Sequence, residues 1–159
     1  MLVQPTEQHY LQVKSWFNND SDIYTWGGPK MTYPMHDKDF LLLLTADHLH
    51  SFSLLDERST LVAFGQYYRR LGLHHLGRLA VNPLNRGQGW SKVLIKQLLK
   101  KAYSEQPAKG ASLFVFKDNL IALECCKSLG FKETNYPDSP FPGNMQNCVY
   151  MVLDLSDSD

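Results

Sequence analysis

At 159 residues, 43% of them hydrophobic, the chain is long enough for one core that buries about 70% of its unfolded surface, and it needs no second domain. Sixteen Lys and Arg balance sixteen Asp and Glu, which removes an overall electrostatic case for nucleic acid or an anionic membrane. The longest apolar run, around residues 40–44, falls far short of the ~20 residues of a membrane span, and three cysteines make a poor disulfide framework, so a soluble, cytoplasmic protein is expected.

Taken in order, residues 2–4 suit a short strand, and Thr6 with Glu7 opens a helix that carries Tyr10, Leu11, Val13 and Phe17 onto a core. Residues 18–21 are a polar break. Residues 22–34, rich in Gly, Pro and aromatic rings, read as an irregular binding loop or as a loop pinned by buried rings. A short helix follows from about residue 36 to 46, with Phe40, Leu41 and Leu44 on one face. Residues 51–55 and 61–68 read as a hairpin around a polar turn, and residues 74–81 add a third strand.

That strand runs through Asn82 and Pro83 into a glycine loop, Arg86-Gly87-Gln88-Gly89-Trp90-Ser91. Pro83 stops the ladder because it has no N–H, and Asn85 is a fair N-cap for a helix starting near Arg86. In that helix Val93, Leu94, Leu98 and Ala102 recur at helical spacing, while Lys92, Lys96 and Lys100 line another face. Gly87 and Gly89 weaken a helix, and backbone access is a compensating reason: without Cβ atoms, a diphosphate reaches the unpaired N–H groups of the first turn. The alternative is an ordinary strand-to-helix turn. Two other phosphate loops are excluded, because Lys92 stands where a dinucleotide fingerprint needs its third glycine, and Gly77, at P-loop spacing from Gly72, is followed by Arg78 and Leu79. Beyond the helix come a strand at 112–116, a helix at 119–128 stopped by Gly130, and strands at 131–136 and 148–155. Residues 136–147 hold three prolines and a glycine and are expected to overhang an acceptor site, and the polar tail 156–159 to fray.

The strand, Asn82-Pro83, the Arg86-Gly87-x-Gly89-x-Ser91 loop and its helix together resemble the acyl-CoA signature of the GCN5-related N-acetyltransferases (GNAT). Asn119, Ala122, Leu129, Gly130 and Phe131 match that family's second motif at its spacing. The resemblance covers most of the chain, strongest from about residue 60 to 155. It departs at Leu84, where the family usually has Gln or Arg, and at Cys126, where many members have Tyr. It implies one mixed α/β domain over residues 1–159, with a mostly antiparallel, splayed sheet flanked by helices and acetyl-CoA held between its central strands. It also implies an N-acetyltransferase, in which an amine of a small molecule or peptide attacks the thioester through a tetrahedral intermediate. The implied cofactor contacts are Leu79, Ala80 and Val81 on the strand, Arg86, Gly87, Gln88, Gly89, Trp90 and Ser91 in the loop, and Asn119, Ala122 and Cys125 in the second motif. A strand N–H near Leu79 or Val81 would polarise the thioester oxygen.

His75 is the candidate base. It shares strand parity with Gly77, Leu79 and Val81, the residues expected to face the cofactor, and an imidazole with pKa ~6.5 is mostly neutral at pH ~7. The alternative is a strand histidine that is hydrogen-bonded in the core or exposed. Cys126 is the candidate acid, although a thiolate leaves near neutrality with little help. Asp22, Trp26, Tyr33 and Tyr67 are the candidate acceptor residues, forming an aromatic, weakly acidic pocket with Asp22 on the ammonium. No metal site is expected, since His48 and His50 lack a third ligand and His74 and His75 point to opposite faces. The expected partner is the amine, with the chain a monomer or homodimer. A non-catalytic acyl-CoA sensor on the same fold is the rival reading, and a nucleotide-phosphate binder the third.

Overall fold

The computed structural model describes residues 1–137 and 145–155, so most of the predicted overhanging loop and the tail at 156–159 lie outside the described residues. In chain order the elements are β1 (Leu2–Val3), α1 (Glu7–Lys14), α2 (Asp20–Gly27), α3 (Asp37–Leu44), β2 (His50–Leu55), β3 (Leu61–Arg70), β4 (Leu73–Val81), a 3-10 turn (Pro83–Asn85), α4 (Trp90–Glu105), β5 (Gly110–Phe116), α5 (Leu120–Ser128), β6 (Lys132–Glu133) and β7 (Cys148–Asp154). The strands form one seven-stranded sheet in the order β1-β2-β3-β4-β5-β7-β6. Every neighbouring pair is antiparallel except β4 and β5. This is the mixed, mostly antiparallel sheet that the resemblance implies.

Three elements differ from their sequence reading. Residues 20–27 are helical, not irregular: Asn19 caps α2 by accepting from the Asp22 N–H at 2.8 Å, and Ile23 and Trp26 turn inward. The glycines that read as loop signals mark its end, where Gly28 has φ of 100°. The central helix starts at Trp90, four residues later than expected. Asn82, not Asn85, organises the entry, donating from its side chain to the Leu61 carbonyl and accepting from the Leu84 N–H, both at 3.0 Å, so the chain first makes a 3-10 turn. The strand expected at 131–136 pairs only over Lys132 and Glu133.

The sheet has a core on each face. On one, Leu94, Ile95, Leu98 and Ala102 of α4 pack with Cys126 of α5 onto Ala63, Tyr67, Leu76, Leu113 and Val115. On the other, Val13, Ile23, Phe40 and Leu44 from α1, α2 and α3 enclose Leu61 and Phe64. Gly65 lets α4 approach the sheet, since a Cβ there would meet Leu79 and Leu98 side chains at 2.8 Å. Each fully buried aliphatic or aromatic side chain contributes about 1.5–3 kcal/mol, and α4 alone buries three of them, Leu94, Ile95 and Leu98.

Two irregularities in β4 position the site. Opposite Gly65 the β3–β4 register slips between Phe64 and Gln66, and Arg78 adopts φ of 48°. This bulge ends the simple alternation, so Arg78 follows Gly77 onto the α2 and α3 face while Leu79 and Val81 turn to α4. The second irregularity is the splay. β4 and β5 pair only at His74↔Ala111 and His75↔Ser112, and beyond those residues the two strands separate.

Candidate active site

The gap left by the splay opens into a cavity of about 1220 Å³, with Leu76 to Leu79 on one side and Leu113 to Phe116 on the other. Asn82 donates its backbone N–H to Val62 O, so by antiparallel alternation the Val81 peptide groups point away from β3, toward the gap. Leu94, Ile95 and Ser91 of α4, Arg86 of the loop, and Asn119, Ala122, Cys125 and Cys126 at α5 continue the wall.

At one end lies the glycine loop. Gly87 and Gly89 have φ of 76° and 84°, a region that costs any residue with a Cβ, and open space surrounds both. Gly89 occupies the cap position of α4, and no side chain caps that helix. The N–H groups of the first turn are thus left for solvent or a ligand, and the helix dipole favours an anion. The glycines serve a left-handed loop before the helix, not its first turn as the sequence reading had it. An acyl-CoA diphosphate fits this cradle on two grounds, unfilled space where a Cβ would stand and uncapped donors.

At the other end the walls are side chains. His75 is 3% exposed, with Nδ1 2.8 Å from Ser112 Oγ, and its ring leans on Tyr68 and Phe114 with centroids 5.3 and 5.1 Å away. Burial, reinforced by the nearby Arg70 charge, pushes its pKa down to about 3, so His75 is neutral near pH ~7. The bulge overturns the parity argument: His75 and Gly77 share a face with Arg78, while Leu79 and Val81 lie on the other. His74 sits across the sheet, its Nε2 2.7 Å from the Gln106 carbonyl. The Cys126 thiol is raised to about 11 by burial, and the neighbouring Cys125 adds to the rise.

The four candidate acceptor residues are not brought together. Trp26 lines the cavity but is stacked against Phe17 at 4.6 Å in the second core. Asp22 is exposed at the rim and accepts from Asn19 Nδ2 at 3.0 Å. Tyr33 is exposed and does not line the cavity. Tyr67 belongs to the α4 face, with its hydroxyl donating to Glu105 at 3.1 Å, because it stands opposite Leu76 and not His75. Ala80, Val81, Gly87, Gln88, Gly89 and Trp90 of the expected cofactor set also stand outside the cavity wall itself. Sequence reasoning missed Tyr68, Arg70 and Arg78. Arg78 donates to the carbonyls of Gly27 and Leu43 and to Gln66 Oε1, at 3.0 to 3.2 Å, tying α2 and α3 to the bulge. Only its left-handed backbone singles it out, and nothing in the residue type predicts that.

Residues 12–131 match the model of the acetyltransferase (GNAT) family. The chain belongs to that family. Solved structures with the same fold include the Vibrio cholerae spermidine N-acetyltransferase in complex with CoA and spermine, at TM-score 0.77 and 16% identity over 98% of this chain and 95% of that one. Another is the Escherichia coli ribosomal-protein-S18-alanine N-acetyltransferase, at TM-score 0.67 and 18% identity over 98% and 93%. No curated protein sequence gives a significant match. Within this GNAT chain, no group of three or more metal-binding side chains occurs among the described residues, nor a helix long and apolar enough to cross a membrane.

Proposed function

We propose that this GNAT chain is an acetyl-CoA-dependent N-acetyltransferase acting on an amine of a small molecule or peptide. The observation that carries the reading is the β4–β5 splay ending at an uncapped, glycine-bordered helix N-terminus. The N–H groups from Arg86 to Ser91 hold the diphosphate, with Arg86 as charge partner, while Leu79 and the gap-facing Val81 peptide line the thioester arm against Asn119, Ala122 and Cys125. The Val81 N–H donates to the thioester oxygen as negative charge develops there. When bound, acetyl-CoA supplies the activated acyl group, and the protein's task is orientation and proton removal. His75 takes the amine proton through water in the tautomer that donates Nδ1–H to Ser112, which leaves Nε2 as acceptor. Its low pKa makes it a weak base that relays the proton and does not retain it. The leaving thiolate, stable near neutrality, needs little protonation, and Cys126, protonated near pH ~7, or a water supplies the proton. The three cysteines are unpaired, in keeping with a cytoplasmic setting.

One observation favours the second reading, an acyl-CoA sensor: burial disfavours the charged form of both His75 and Cys126. Release of free CoA thiol in the presence of amines separates the two, with a matching acetyl mass increase on the acceptor. Acetylation of any amine above the uncatalysed rate supports the enzyme. Acyl-CoA binding with no turnover across peptide and small-molecule amines would leave the sensor.

A further inference from the structure

The end of the cavity away from the glycine loop is cationic. Among the described residues the acidic lining residue of the cavity is Asp22, already engaged by Asn19, whereas its basic ones besides Arg86 are Lys30, Arg70 and Arg78. Arg78 is used up on two carbonyls and Gln66. Arg70 is different. Its guanidinium donates to the Tyr136 hydroxyl at 3.1 and 2.7 Å and to the Tyr68 hydroxyl at 3.3 Å. It lies over the rings of Phe114 and Tyr136, 5.4 and 5.5 Å from their centroids. Among the described residues no carboxylate pairs with it. A half-buried guanidinium held by neutral hydroxyls and ring faces, with no carboxylate among the described residues to compensate it, is fixed in place in an arrangement that favours an anionic ligand. Tyr68, His75 and Phe114 connect this charge to the start of the splay, because Tyr68 and Phe114 both contact the His75 ring.

Resting on the acetyltransferase reading above, we infer that the acceptor is an amine carrying a carboxylate a few bonds away, the carboxylate on Arg70 and the amine beside His75. The aromatic walls take an apolar or aromatic body. The cationic end repels a polyamine. This replaces the weakly acidic pocket expected from the sequence, because the cation that decides the charge is Arg70 of β3, held by Tyr136, and residues 22–34 contribute Lys30 as well as Asp22.

The test pairs amines that differ only by the carboxylate: phenylalanine with phenethylamine, and 4-(aminomethyl)benzoate with benzylamine, alongside spermidine. CoA thiol release gives kcat and KM, and thermal stabilisation by desulfo-CoA is followed in parallel. The native chain is expected to prefer the carboxylate member of at least one pair roughly 10- to 100-fold, mainly through KM. Arg70→Gln should erase that preference and leave the desulfo-CoA stabilisation unchanged. Arg70→Lys should retain part of it, and Tyr136→Phe, which keeps the ring, should weaken it less than Arg70→Gln does. Stabilisation by desulfo-CoA with no carboxylate preference, or with spermidine turned over best, overturns the acceptor inference alone. Loss of that stabilisation in the native chain overturns the acetyltransferase reading and the inference with it.

Discussion

The two ends of the cavity are built from different materials. The glycine-loop end presents main-chain groups: a left-handed turn, an uncapped helix start and mostly exposed side chains. The opposite end is made of side chains locked by one another, with Arg70 on Tyr136 across 66 residues of sequence and His75 on Ser112 across 37. A backbone cradle asks little of residue identity except the absence of Cβ atoms, so it suits a ligand part common to a whole family. A side-chain wall can be changed one residue at a time and is where specificity is set.

Breaking the side-chain end should damage the fold itself. Arg78→Ala strands the Gly27 and Leu43 carbonyls and unties α2 from the bulge, so a loss of about 2–4 kcal/mol in denaturant unfolding is expected. An unchanged midpoint would show that the bulge needs no side-chain anchor. At the backbone end, Gly89→Asp should cost about 100-fold in acetyl-CoA affinity, while Gly89→Asn, which tolerates the left-handed region without the charge, should lose far less. Equal losses for the two would make backbone strain, and not anion binding, the reason for the glycine.

His75 yields a pH signature. The unfolded chain protonates it near pH ~6.5, whereas the folded chain resists protonation down to about 3, so stability falls as pH drops below that upper value. His75→Gln should flatten this slope, recovering about 2 kcal/mol at pH ~5 relative to the native trend. Parallel slopes for native and variant would mean that the buried ring is not a stability term. The smallest effect sharpens the contrast: Gln88→Ala, an exposed side chain inside the cradle that contacts only Trp90 Nε1 at 3.2 Å, should change acetyl-CoA affinity by less than about threefold.

The same contrast decides how much was legible in the sequence. The glycine loop and the Asn119 to Phe131 segment are each a continuous stretch whose glycines and caps carry local conformational meaning, so the fold class and the left-handed glycine loop follow from the chain alone. The side-chain end does not, because Arg70, Tyr136 and His75 meet only through sheet order, and the bulge at Arg78 inverts the alternation used to place His75 with Leu79 and Val81. Helix α2 was hidden for a related reason. Gly27, Gly28 and Pro29 read as loop residues, whereas they stand at the end of a helix whose start is set by Asn19.

The central claim is that the splayed gap with its backbone cradle is an acyl-CoA site. Titration calorimetry of acetyl-CoA, desulfo-CoA and ATP into the native chain and Gly89→Asp tests it most directly. The account predicts comparable binding of both CoA compounds, much weaker binding of ATP, and loss of CoA binding in the variant. Equal affinities for native and variant, or ATP bound as tightly as the CoA compounds, would contradict it.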